Sequence, residues 1–200
     1  MHLKEPSLPP LNEAGYGHVL DFRTNAHQLF TKVFHAVHHC TSRYVVVYGS
    51  AASSKSYSVH QSELLHLIEA EEGDTLFLRR NAVDLRDSCY KLLTGLIERY
   101  QLSRYFKCVY SGANRCITFL PTGRSISFRG ANNSEKLKSL AGIKRVVMEE
   151  ADQFTFEQFS EIIRRARGYP HIQFILILNP VSELHWIKKH LCEEGSPYSA

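Results

Sequence analysis

Apolar residues along this chain fall into two patterns that take turns. Tyr44 to Tyr48 (YVVVY), Thr75 to Leu78, Val146 to Met148 and Ile172 to Leu178 are short runs with little polar alternation, as expected of strands covered on both faces. Between them the apolar residues recur at helical spacing. Asn25 to Cys40 carries Leu29, Phe30, Val33, Phe34 and Val37 on one face, and Val83 to Tyr100 carries Leu85, Cys89, Leu92, Leu93 and Leu96. Ser54 to Ala70, Phe156 to Arg167 and Glu183 to Leu191 read as further helices. Three more strands, Tyr105 to Tyr110, Arg115 to Leu120 and Ser125 to Phe128, are joined by turns at Ser111-Gly112-Ala113-Asn114 and Pro121-Thr122-Gly123, and their close spacing predicts a small antiparallel insertion. Strands separated by helices predict a three-layer α/β fold around a mainly parallel sheet. Pro6, Pro9 and Pro10 mark residues 1–24 as an irregular lead-in, leaving residues 25–200 as one domain.

Composition narrows the class without naming a function. With 200 residues, 44% hydrophobic and 22% charged, the chain has the make-up of a globular domain with one large core. No apolar run approaches bilayer-spanning length, and Met1 to Pro10 lacks the basic start and apolar core of a signal peptide, so the reading is a cytoplasmic location with no membrane partner. Cys40, Cys89, Cys108, Cys116 and Cys192 are odd in number, widely spaced and without a CxxC pair, which argues against a disulfide framework and a thiolate zinc site. A net charge of +4 permits a polyanionic partner without specifying one. The basic clusters Arg79-Arg80, Lys136/Lys138, Lys144-Arg145, Arg164-Arg165/Arg167 and Lys188-Lys189 read as solvated surface, since no aromatic interleaving accompanies them.

Chemistry enters with GSAASSKS, Gly49 to Ser56, directly after the first strand. A phosphate-binding loop needs a glycine turn whose backbone N–H groups face the phosphates, a helix N-terminus behind it, a lysine for the β- and γ-phosphates and a hydroxyl for Mg²⁺. Gly49, Ser50, Ala51, Ala52, Ser53 and Ser54 form the loop, with Lys55 and Ser56 as the last two parts. Ser54 stands where the pattern has its second glycine, although every residue from Ser50 to Ser54 is small. Roughly ninety residues downstream, RVVMEEAD (Arg145 to Asp152) places Glu149 and Glu150 at the end of an apolar strand. A first carboxylate there holds hydrated Mg²⁺ and a second deprotonates the attacking water. A third strand, FILILNP (Phe174 to Pro180), ends at Asn179, whose amide can touch the γ-phosphate or its water. In open α/β sheets such strand ends gather at one edge, where ligands bind. Together these motifs predict a three-layer P-loop NTPase of the additional-strand, RecA-like class, with ATP and Mg²⁺ as its ligands.

With those motifs in place, the sequence resembles the N-terminal ATPase domain of phage terminase large subunits, particularly the PBSX-type branch. The blocks YVVVYGSAASSKSYSV, TLFLRRNAVDLRDS, SISFRGANNSEKLKSLAGIKRVVMEEADQFT and ILILNPVSELHWIKK carry the resemblance. It implies an ATP-driven motor that moves double-stranded DNA into a procapsid, works with a portal protein and a small terminase subunit, and forms a homo-oligomeric ring on the portal. It makes Lys55 and Ser56 the phosphate and Mg²⁺ contacts, Glu149 the acidic metal-site residue, Glu150 the catalytic base and Asn179 part of the coupling motif. Arg79 matches a basic position of the family and is a candidate for contacting nucleotide or transmitting its state. Many terminases carry an arginine within the loop, where this chain has Ala51 and Ala52. Arg129 is the candidate for the missing cation, possible in a neighbouring subunit's site, with Arg124, Lys136 and Lys138 as rivals. The family continues into an RNase H-like nuclease domain for which this length leaves no room, so no nuclease activity is expected of this chain.

Other readings stay open at this level. The EEAD stretch is similar to the acidic box of helicase-like ATPases, and the serine at position 54 together with the alanines of the loop fits a nucleotide-binding module that does not hydrolyse. His35, His38, His39 and Cys40 offer metal-ligating groups, with His35 and His39 at i, i+4. No third ligand is evident beside them, so they read as a polar helix face. Tyr48 and Tyr57 are expected in the core rather than against a base, Trp186 is expected to pack the last helix on the sheet, and Lys188 and Lys189 read as solvated.

Overall fold

The computed structural model describes residues 29–69, 72–112, 114–131, 140–183 and 185–193. The lead-in and residues 25–28, Ala70, Ala113, Lys136, Lys138 and Leu184 lie outside them. Helix α1 is Lys32–His38, opened by Thr31, whose hydroxyl accepts from the Phe34 N–H at 3.0 Å. Strand β1 (Tyr44–Tyr48) leads through the phosphate loop into α2 (Lys55–Glu69), then β2 (Asp74–Arg79). After α3 (Lys91–Arg99) come β3 (Phe106–Ser111), β4 (Asn114–Phe119) and β5 (Ser125–Gly130), then β6 (Ile143–Glu149), α4 (Phe156–Arg165) and β7 (Gln173–Leu178).

All seven strands join one sheet in the order β1-β7-β6-β2-β5-β4-β3. The first five in that order are parallel, and β4 and β3 add an antiparallel end. β5 therefore belongs to both parts, pairing parallel with β2 and antiparallel with β4. Parallel neighbours require long crossovers, which explains the helices between the strands. Alternate residues of the central strands feed two cores: Phe77, Val147 and Ile175 pack with Val59, Leu64, Leu93 and Leu96 on one face, while Leu76, Val146, Met148 and Leu176 pack with Phe159 and Ile162 on the other. Apolar residues at every position are thus the signature of a sheet layered between helices.

Three sequence expectations are corrected. β1 is an edge strand among the described residues, half-buried over Tyr44–Val46, with Tyr48 61% exposed rather than in the core. The helix expected over Val83 to Tyr100 is broken into a 3₁₀ turn (Ala82–Leu85), a π turn (Arg86–Tyr90) and α3. Ser88 explains the break in part: its hydroxyl donates to the Asp84 carbonyl at 2.6 Å, competing with the helical ladder. Gly130 accounts for the close approach of this stretch, since a Cβ there would sit 2.7 Å from the Ala82 backbone nitrogen. The last expected helix contains instead a π turn at Lys188–Cys192. Trp186 does reach the sheet layer, donating its indole N–H to the Phe154 carbonyl at 2.6 Å.

One face of α2 is polar where it is most buried. Glu63 is fully buried and accepts two hydrogen bonds of 2.7 Å from Arg145 of β6. The guanidinium holds the Glu63 carboxyl below its ordinary 4.5 against the upward push of burial. Burial is the largest single effect and acts upward, yet Arg145, His66 and the Thr75 hydroxyl together bring the net shift down. Because its folded value is depressed, Glu63 contributes stability that is present above pH 4.5 and lost as the pH falls through the folded value. Arg145→Ala leaves this carboxylate buried and unpaired, so it is expected to cost about 3–5 kcal/mol at pH 7. The deficit should shrink on acidification as Glu63 takes up a proton; denaturant unfolding at several pH values measures both, and a pH-independent loss below about 1 kcal/mol would mean that the pair is screened as at a surface.

Candidate nucleotide site

The C-terminal ends of β1, β6 and β7 meet at one edge of the sheet because the three strands are parallel and adjacent, with β7 between the other two. A cavity of about 360 Å³ opens there, lined by residues 51–57, by Glu149 and Glu150 and by residues 177–179. Motifs that lie far apart in sequence are brought to a single hollow. Gly49 and Ser50 do not line it, but their carbonyl oxygens take part in holding its lysine.

Lys55 is 8% exposed, and its ammonium donates to the carbonyls of Gly49 (2.8 Å) and Ser50 (2.7 Å), to Ser53 Oγ (3.2 Å) and to Asn179 Oδ1 (3.4 Å). A buried cation is tolerated when its donors are all engaged, and these partners are neutral oxygens that an anion can displace. Ser56 donates to Glu149 Oε1 at 2.5 Å across the width of β7. Glu149 is 8% exposed, and its other oxygen is buried without a hydrogen-bond partner among the described residues. An orphaned carboxylate oxygen beside a serine hydroxyl suits a hard cation that prefers oxygen ligands. Ser56 and Glu149 therefore fit Mg²⁺.

Glu150 caps the 3₁₀ turn Ala151–Gln153 from the left-handed region, at φ 52°. That conformation swings its side chain away from the strand, leaving it 42% exposed, paired with Arg79 and accepting from Gln153 Nε2 at 2.7 Å. Arg79 is held from the other side by Ser88 Oγ at 3.1 Å and the Asp84 carbonyl at 3.4 Å, so the irregular turns after β2 position the arginine. Arg79 thus meets the candidate base and does not line the cavity. Arg129, at the end of β5, is separated from β6 by β2 and stands outside the cavity as well. Arg124 lies at the start of β5, at the opposite end of that strand, where it bonds Thr122 and the Ile68 carbonyl.

His60 escaped the sequence reading. It is 1% exposed, and its Nδ1 lies 2.6 Å from the Ser56 carbonyl, which requires Nδ1 to carry the proton and leaves Nε2 bare and buried. Burial drives its proton affinity down despite the nearby Glu149. His60, Cys89 and Glu149 form a cluster whose ligand-type atoms lie within 4.8 Å of one another, directly behind the cavity. Burial also pushes the Cys89 thiol up to about 12, with the Glu149 charge adding to it. The signal available in sequence was only that His60 follows Ser56 by one helical turn.

A phosphate loop on β1, an acidic end on β6 and an additional strand inserted between them define a P-loop NTPase of the RecA-like, additional-strand class. A family profile described as phage terminase large subunit matches residues 41–199. The PBSX phage terminase large subunit of Bacillus subtilis (strain 168) is 32% identical over 149 residues, covering 74% of this chain and 33% of that protein. The chain belongs to the phage terminase large subunit family, and it spans about a third of the length of that curated relative. Solved structures share the fold. The large terminase of a thermophilic bacteriophage superposes with a TM-score of 0.67 at 14% identity, over 82% of this chain and 42% of that one; it has also been solved with ADP and with ATP-gamma-S. The ATPase domain of the Thermus phage P74-26 large terminase superposes with a TM-score of 0.62 at 19% identity, over 84% and 74%.

Ser54 adopts φ 62° and Ala52 φ 61°, both left-handed. The position where the loop pattern has glycine thus demands the conformation that glycine favours, and a side chain there costs on the order of 1–2 kcal/mol. Ser54→Gly removes that strain and loses part of the gain to unfolded-chain entropy. The expected outcome is a stability equal to wild type or up to about 1 kcal/mol higher by thermal or denaturant unfolding; a decrease would show that the Ser54 side chain itself holds the loop.

Proposed function

We propose that this chain binds ATP with Mg²⁺ and hydrolyses it as the motor domain of a terminase large subunit, driving double-stranded DNA into a procapsid. The observation that carries the reading is the convergence of Lys55, Ser56, Glu149 and Asn179 by hydrogen bonds around one cavity at the sheet edge. Lys55 exchanges its loop carbonyls for the β- and γ-phosphates, and the N–H groups opening α2 add their partial positive charge. Ser56 and Glu149 would hold Mg²⁺, which would supply positive charge to the same phosphates.

Glu150 takes a proton from the attacking water as its oxygen bonds the γ-phosphorus and the bond to the ADP oxygen breaks. Arg79 orients that carboxylate through its ion pair and passes the state of the site to the turns that hold it, Ala82–Leu85 and Arg86–Tyr90. Asn179, already within 3.4 Å of Lys55 Nζ, senses the γ-phosphate from the end of β7. Arg129 lies on the same edge of the sheet, and we assign it to the site of a neighbouring copy in a ring. The portal protein and small terminase subunit are its partners by family membership, and the site of action is the host cytoplasm. No helix among the described residues is long and apolar enough to cross a membrane.

Two tests separate binding from chemistry. Lys55→Ala is expected to abolish binding of an ATP analogue, whereas Glu150→Gln should bind it as wild type does and turn over ATP at least about a hundredfold more slowly; equal turnover in wild type and Glu150→Gln would remove hydrolysis from the function. Arg79→Ala should lower kcat by about a hundredfold with KM little changed, because the base loses its orientation and the phosphates keep their contacts. A change confined to KM would place Arg79 on the nucleotide instead.

A further inference from the structure

At the opposite edge of the sheet from the nucleotide cavity, the C-terminal ends of α1 and α2 come together. A second cavity, of about 570 Å³, opens there, with His38 and His66 in its wall. His38 is the last residue of α1; His66 and Glu69 occupy the last turn of α2, three residues apart and so on one helical face. One ligand-type atom from each of the three lies within 4.8 Å of the others. We propose that His38, His66 and Glu69 form a binding site for a single Zn²⁺ ion that staples α1 onto α2.

Four observations point this way. His38 Nδ1 lies 3.3 Å from Ser62 Oγ, a fully buried hydroxyl that can fix the ring as the orienting partner of a metal-bound histidine does. With Nδ1 accepting from the Ser62 hydroxyl, the His38 Nε2–H donates towards Glu69 Oε2 at 3.4 Å, and an ion between the two would take the place of that proton, with the ring in its other tautomer and Nδ1–H donating to Ser62. The Nε2–Oε2 separation is already the edge of a tetrahedron with bonds of about 2.0–2.1 Å, about 3.3 Å. His66 Nε2 is a buried nitrogen without a hydrogen-bond partner among the described residues. Its ring stays neutral at ordinary pH, because burial and then the Arg145 charge lower its value to about 4, so no proton competes for the lone pair. Finally, both helices direct their C-terminal carbonyls here, where a cation is favoured.

The neighbouring cations do not fill the role of the ion. Arg145 is engaged by Glu63 and Lys144 by Glu72 at 3.1 Å. The His38 and His66 rings are stacked, with centroids 4.3 Å apart and planes 28° from parallel. Bringing both nitrogens onto one ion therefore requires a χ2 rotation, a soft torsion for histidine. Two imidazoles and one carboxylate, with a fourth position open to the cavity, are a donor set for Zn²⁺ rather than Mg²⁺. The arrangement is distinct from Ser56 and Glu149, and it does not depend on the proposed ATPase function.

The experiment is a calorimetric Zn²⁺ titration of the full chain, with Co²⁺ as a spectroscopic probe, repeated on His38→Ala, His66→Ala and Glu69→Gln. Wild type should bind one equivalent of Zn²⁺, give the intense visible bands of tetrahedral cobalt, and unfold at a higher temperature with Zn²⁺ than without. Each variant should bind roughly tenfold more weakly or worse and lose the thermal shift. Glu69, with a side chain 56% exposed, gives a variant that does not threaten the fold. The proposal is overturned by the absence of stoichiometric binding, by undiminished binding in Glu69→Gln or His38→Ala, by an octahedral cobalt spectrum, or by a thiolate charge-transfer band assigning the ion to Cys40 of the same cavity.

Discussion

The hydrogen bond from Ser56 to Glu149 crosses the end of β7, and the candidate nucleotide cavity is organised around that crossing. Two strands carrying the phosphate loop and the acidic pair cannot present their ends to each other directly, since a third strand separates them by two inter-strand spacings. The loop bridges that gap by leaning over β7, and Asn179 is consequently placed beneath it, within reach of Lys55. Parallel pairing supplies the constraint: Val46 stands beside Leu176, and Leu176 beside Met148, so the three ends finish at one level.

Strain gathers at the same place. Ala52, Ser54 and Glu150 are three of the four non-glycine residues with positive φ among those described, and all three border the cavity. Such conformations persist only when surrounding structure over-determines them. Here the sheet core does so, with Val147, Met148, Ile175 and Leu176 fully buried behind the loop. The result is a hollow whose backbone and side-chain groups are held in positions that an unconstrained chain would leave.

Helix α2 links the two ends of the molecule. Its first turn holds Lys55 and Ser56, its middle buries His60 and the Glu63 carboxylate against Arg145, and its last turn carries His66 and Glu69. A helix with that many buried polar groups is poorly described by an amphipathic pattern, which is why the sequence shows no clean apolar stripe from Ser54 to Ala70. Two of the buried groups are held by contacts from elsewhere: Tyr100 and the Leu29 carbonyl for Gln61, Thr75 and Arg145 for Glu63. The helix is positioned by these polar contacts as much as by Val59, Leu64 and Leu67.

Much of the fold was legible because its signals are local. Unbroken apolar runs marked β2, β6 and β7, and the order of loop, acidic pair and Asn179 turn is written along the chain. The sequence by itself determined the strands, the helices α1, α2 and α4 and the class of the fold. Tertiary structure alone decided that β1 lies at an edge, that Arg79 meets Glu150, that the stretch after β2 packs closely against Gly130, and that His38 finds its companions on another helix. The physical reason is common to all of these. Periodicity and turn chemistry report what a segment does with its near neighbours, whereas strand order, ion-pair partners and ligand clusters depend on which distant segments the sheet brings together.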